Sequence, residues 1–153
     1  MRVLFGTLIL LFLFDSCSDK GKNDASSFLD ERSLIAIKPF FENIESGKNE
    51  IAARDLLKSN ENIDLNDSST INLIRKFIEL NQTSGRFVSY KILRKKTFQN
   101  DIGVYCYLAK YEKKFYRFTF VFYNNEKEVK IFKFSFDDNI DAELEEGTKL
   151  FLN

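Results

Sequence analysis

Histidine and tryptophan are both absent from the 153 residues. Without imidazole the chain lacks the commonest general base, the commonest zinc ligand and the usual sensor of mildly acidic pH, so any catalysis would rest on carboxylates, Tyr, Lys or Arg. An excess of charge of either sign is also missing. The 23 basic residues balance 23 acidic ones, and a chain of formal net charge +0 exerts no bulk attraction on nucleic acid. Proline occurs once, at Pro39, and cysteine twice, at Cys17 and Cys106. If Cys17 is consumed by N-terminal processing, Cys106 has no partner for an intramolecular disulfide, and the fold must rely on its core. No apolar run reaches the roughly 20 residues that a membrane-spanning helix needs.

What is present argues for one folded domain. Hydrophobic residues make up 44% of the chain and 17 are Phe. That aromatic content is foreign to disordered chains, and the length suits a single core.

Arg2 gives a small positive n-region, and Val3 to Phe14 is an apolar run of signal-peptide length, ended by Asp15 and Ser16. The stretch Leu13-Phe14-Asp15-Ser16-Cys17-Ser18 resembles a bacterial lipobox, in which a small residue precedes a cysteine that is diacylated and becomes the mature N-terminus. Ser16 and Cys17 match that pattern, whereas Phe14 and Asp15 depart from it. The reading is therefore a signal peptide over residues 1–16 and lipidation at Cys17. Several acyl chains, at about 0.8 kcal/mol per buried CH₂, make a stable anchor. Residues 18–27 are almost wholly polar, and the expectation is an extended tether between lipid and fold, with a single domain over residues 28–153.

Leu29, Ala36, Ile37, Phe40, Phe41 and Ile44 recur near helical spacing and predict a first helix ending at Gly47, kinked or split at Pro39. Asn49 to Leu57 predicts a second helix with Ile51, Ala52 and Leu56 on its buried side. A third, capped by Ser68 or Ser69, places Ile71, Ile74, Phe77 and Ile78 in one stripe and stops within Asn81 to Gly85. The period then becomes two. Strands are predicted over Phe87–Phe98, Ile102–Tyr111, Phe115–Tyr123 and Val129–Phe136, the last with Phe132, Phe134 and Phe136 on a single face. Helices followed by a meander define an α+β domain, with N-terminal helices packed on a curved antiparallel sheet of about four strands.

The helix running into Leu80 and Gly85, the strand opening Ser89-Tyr90-Lys91-Ile92, the pair Tyr105-Cys106-Tyr107 with Tyr111-Glu112-Lys113-Lys114, the run Arg117-Phe118-Thr119-Phe120-Val121 and the closing Glu128-Val129-Lys130-Ile131 give an order that resembles the nuclear transport factor 2-like (cystatin-like) superfamily, particularly the small domains of bacterial lipoproteins. The resemblance implies a cone-like fold that often encloses a pocket. In enzymes of that type a carboxylate base and an oxyanion donor sit inside it, and no such pair is assignable here.

Cys106, mid-strand among apolar neighbours, reads as a core residue. Asp137, Asn139, Asp141 and Glu143 alternate like a calcium loop, but Ala142 and Thr148 stand where Gly and Glu are required, so a solvated acidic stretch is expected. Arg86, Lys91, Arg94, Lys95 and Lys96 read as edge-strand lysines and arginines that discourage aggregation. No catalytic residue, cofactor site or metal site is assigned. The functional expectation is a lipid-anchored protein of the bacterial cell envelope, on the periplasmic or surface face, that binds an envelope protein or a small apolar ligand without catalysis or nucleic acid. A pocket enzyme using a carboxylate with Tyr, and a homodimer through the open sheet face, are the alternative readings.

Overall fold

The computed structural model describes the backbone of residues 21–141 and of residue 145, with side chains from Phe28 onward. Cys17 and Glu143 lie outside the described residues. Helix α1 (Gly21–Glu45) is followed by α2 (Asn49–Lys58), α3 (Ser68–Ile78), the single turn α4 (Leu80–Ser84) and four strands: β1 (Phe87–Phe98), β2 (Ile102–Tyr111), β3 (Phe115–Asn124) and β4 (Val129–Asp137). The strands form one antiparallel sheet in the order β1-β2-β3-β4, with the helices on one face, an α+β fold whose sheet is not closed.

One feature of α1 differs from the sequence reading. It begins at Gly21, so residues 21–27, expected as extended tether, are helical; nothing between Lys22 and Ser27 breaks a helix that the buried Leu29 and Ser33 already fix. Of the two forms expected at Pro39, the split is not seen: Pro39 lies inside one helix. Gly47, at φ 72°, ends it as expected, with its N–H donating to Ile44 O at 2.9 Å and that of Lys48 to Asn43 O at 2.8 Å. In α2 the buried apolar set is Ala52, Ala53, Leu56 and Leu57, and Ile51 is exposed. In α3 Ile74 and Phe77 are buried while Ile71 faces solvent. Its cap is Asp67, not Ser68 or Ser69: the Asp67 carboxylate accepts from the Ser69 hydroxyl, from Ser69 N at 2.9 Å and from Thr70 N at 3.3 Å, and these bonds, the hydroxyl's first, hold its pKa below the ordinary carboxylate value.

The core is aromatic because β2 and β3 project Tyr105, Tyr107, Tyr111, Phe118, Phe120 and Phe122 toward α1. Phe40 sits at its centre, with ring centroids 5.1 Å from both Phe120 and Phe134 and 5.5 Å from Phe77. Phe41 stacks on Tyr90 at 3.7 Å. The three-residue β1–β2 connection has positive φ at Gln99 and Asn100, the primed geometry that suits strand twist, and is closed by Asp101 N donating to Phe98 O at 2.9 Å.

Strand β4 corrects the expected alternation. A bulge between Val121 and Phe122 of β3 leaves Phe122 opposite Ile131 and Val121 opposite Lys133, so Phe132 has no register partner. The extra residue switches the phase: Ile131 and Phe134 are both buried, whereas Phe132 is 66% exposed.

Candidate functional site

Residues opposite one another in a sheet share a face, so the register maps the uncovered side as rows. One row runs Lys96, Val104, Val121, Lys133; the next runs Arg94, Cys106, Thr119, Ser135; a third runs Lys91, Leu108, Arg117, Asp137. The two central strands contribute Val104, Cys106, Leu108 and Val121 together with Thr119 and Arg117; the β1 side is basic throughout, and the β4 side carries Lys133, Ser135 and Asp137. Cys106 thus belongs to the open face and not to the core: it is half-buried, with Sγ 3.7 Å from Thr119 Oγ1. Its neighbours Tyr105 and Tyr107 take the core positions, on the face that α1 covers. Of the basic residues singled out by sequence, Lys91, Arg94 and Lys96 lie on this face. Arg86 instead pairs with Glu112 (2.9 Å), and Lys95 with Asp30 of α1.

Where this face meets the β4 edge, a groove of about 470 Å³ opens between Ile102, Val121, Tyr123 and Phe132 on one side and Asn60, Asn62 and Ile63 on the other. The bulge makes its wall by turning Phe132 outward, where its ring lies 6.3 Å from that of Tyr123. The segment between α2 and α3 is fixed against β4 by two devices. Asn60 Nδ2 donates to Ile131 O at 2.7 Å, and its Oδ1 accepts from Asn62 N at 3.0 Å. Lys130, only 5% exposed, donates to both Glu61 carboxylate oxygens (2.6 and 2.5 Å) and pairs with Glu128 at 2.9 Å. The hydrogen bonds Lys130 donates to Glu61, then to Glu128, raise its pKa, and the bond from Lys130 lowers that of Glu61. With the Asn60 amide so occupied, the groove presents mainly apolar surface.

A second cavity, about 540 Å³, lies between α1, α2 and the β3–β4 turn. Its floor is Ile35, Ala36, Pro39, Phe40, Leu56 and Val129, and charged Arg32, Asp55, Lys127 and Glu128 stand around it. Neither cavity is lined by a carboxylate with a tyrosine. The acid–tyrosine contact the structure does make is elsewhere: Tyr105 Oη donates to Asp30 Oδ1 at 2.6 Å, and Lys95 donates to Oδ2 of the same carboxylate. Burial first, then this bond, pushes the Tyr105 pKa well up, so the hydroxyl is a fixed donor and Asp30 an acceptor already engaged on both oxygens. The arrangement clamps α1 to the sheet.

Asp137 at the end of β4 and Asp138 just after it are likewise engaged. Arg117 binds Asp137 through Nη2 at 2.9 and 3.1 Å and Nε at 3.3 Å, and Lys114 binds Asp138 at 3.1 Å. Asp137 Oδ1 also accepts from Asn139 N at 3.1 Å, which turns the chain rather than wrapping an ion. Among the described residues no cluster of three His, Cys, Asp or Glu side chains has metal-binding geometry, and no helix is long and apolar enough to cross a membrane.

Sequence reading missed the groove. Ile63 stands among polar residues between α2 and α3, and no residue marks the bulge that exposes Phe132. No protein-family model, curated protein or solved structure matches this chain.

Proposed function

We propose that the protein is a lipid-anchored envelope protein, held at the membrane through Cys17, whose domain binds a small apolar ligand in the Phe132 groove without catalysis. The observation that carries the reading is the groove itself. An aromatic side chain that alternation assigns to the core is turned out to 66% exposure, at the edge of a preformed apolar cleft of ligand size. The groove lining holds no titratable acid or base apart from the phenol of Tyr123, which argues for binding rather than turnover. The lipobox-like Cys17 and the signal-like residues 1–16 support the address, and the helices-then-meander order fits the lipoprotein domains that the sequence resembles.

A photoreactive benzoylphenylalanine in place of Phe132, in the full chain made in cells, tests this. An adduct of a few hundred daltons on the chain, absent when the same group replaces Leu34 on α1, is the expected result. A protein-sized adduct would make the groove a protein-docking site, and no adduct would remove it as a binding site.

A further inference from the structure

The cavity between α1, α2 and the β3–β4 turn shares no lining residue with the Phe132 groove, and every side chain that lines it is described. Helical spacing builds its two long walls. On α1 Arg32, Ile35, Pro39 and Asn43 fall on one face, and on α2 Asp55, Leu56 and Ser59 do the same. Phe40 and Leu56, both buried, make an apolar floor, while Ile35 beside them is 58% exposed.

The charges on these walls do not neutralise one another. Away from the cavity the same helices close their ion pairs internally, Lys38 with Glu42 at 3.9 Å on α1 and Arg54 with Glu50 at 2.7 Å on α2. Within it, Arg32 and Asp55 form no salt bridge, with each other or with another described residue; the Arg32 guanidinium rests over the Phe28 ring, 5.4 Å from its centroid. The Lys127 ammonium is likewise unpaired, whereas Glu128 is taken by Lys130 at 2.9 Å. The half-buried Asn43 amide also has no partner among the described residues. Two cations, one acid and one amide are therefore left available over an apolar floor.

Each free group has a chemical complement. The planar guanidinium of Arg32 holds a carboxylate through two parallel hydrogen bonds, with Lys127 as a second cation; the Asp55 carboxylate suits an ammonium; and the Asn43 amide both donates and accepts, as a peptide link does. A ligand carrying an anion alone would leave Asp55 unanswered, and an uncharged one would use only the floor. From Arg32 to Asn43 the helix rises about 16 Å, enough for three extended residues at about 10 Å. The volume of about 540 Å³ lies within the roughly 300–1,000 Å³ usual for small-ligand sites.

We propose that this cavity binds a short apolar peptide with both termini free, its carboxylate at Arg32 and Lys127, its ammonium at Asp55 and its side chains on Phe40 and Leu56. The site is independent of the Phe132 groove.

Calorimetric titration of the full chain in detergent with trileucine tests the proposal. Trileucine should bind, and N-acetylation or C-amidation of the peptide should each weaken binding about tenfold, as loss of a hydrogen bond to a charged group does. Asp55→Asn should abolish the effect of acetylation and keep that of amidation; Arg32→Gln together with Lys127→Gln should do the reverse. All three residues are exposed and unpaired, so these variants should fold as the wild type does. Phe132→Ala should leave trileucine binding unchanged. Equal binding of free and capped peptides, or capping effects that the variants do not alter, would overturn the proposal. Failure of trileucine to bind, or loss of its binding in Phe132→Ala, would overturn it as well.

Discussion

The Tyr105 hydroxyl donates a 2.6 Å hydrogen bond to Asp30 Oδ1, tying the second strand to the first helix across seventy-five residues of sequence. Tyr105 is 1% exposed, and its ring lies so close to Gly103 that a Cβ there would stand 2.7 Å from Cε2 and 3.0 Å from the hydroxyl. Glycine at 103 is what lets the phenol reach Asp30. Gly103→Ala should therefore cost about 1–3 kcal/mol by displacing the ring, and Asp30→Ala a similar amount by leaving a buried hydroxyl unpaired. Thermal unfolding of the two single variants and the double variant checks this. The double should lose less than the sum, because both break one contact.

Burial raises the pKa values of Tyr105, Tyr111, Tyr107 and Tyr90 above the ordinary 10.0. A phenol whose folded pKa exceeds its unfolded one contributes stability that is complete below the unfolded value and is lost as pH rises through the interval to the folded value. Stability should be flat near neutrality and fall above about pH 10. Tyrosinate absorbance should then appear together with loss of structure, not ahead of it. Tyr111→Phe should weaken the alkaline loss at little cost near neutrality, since the Tyr111 hydroxyl is buried without a hydrogen-bond partner.

The bulge makes adjacent phenylalanines unequal. Phe134→Ala should cost about 3–5 kcal/mol, as loss of a buried aromatic does, while Phe132→Ala should lie within about 0.5 kcal/mol of the wild type. Denaturant midpoints decide between the observed register and the uninterrupted alternation, which would make the two substitutions equally severe.

Lys130 and Glu61 hold the α2–α3 segment beside the groove. Lys130→Met should speed amide exchange across residues 60–67 and in the N-terminal half of β4 while leaving the β1–β2 hairpin unchanged. Because Lys130 lowers the Glu61 pKa, that contribution is present above the ordinary value of 4.5 and is lost as pH falls through the depressed one. Lys130→Met should remove this part of the acid sensitivity.

The periodicity of the sequence was enough for the element order, the four-strand meander and the helices on one face. A switch from 3.6 to 2.0 is a local signal that survives without tertiary information. It was insufficient wherever a single backbone irregularity decides orientation. Ile131 and Phe132 are both large and apolar, so nothing local tells which one the bulge will turn outward. The two faces of β2 were equally ambiguous: Val104, Cys106 and Leu108 are as apolar as the tyrosines between them, and only the position of α1 sends the tyrosines in. The Asp67 cap was hidden among neighbouring serines with the same capping chemistry. The Asp30–Tyr105–Lys95 clamp joins residues too distant in sequence for any motif to show.

The most direct test of the account is the mass of the mature N-terminus in the membrane fraction of cells making the wild type or Cys17→Ser. The account predicts a wild-type chain that begins at an acylated Cys17, and loss of that species in the variant. An intact residue 1, or a cleaved terminus without acyl groups, would contradict anchoring through Cys17 and leave the domain without its membrane address.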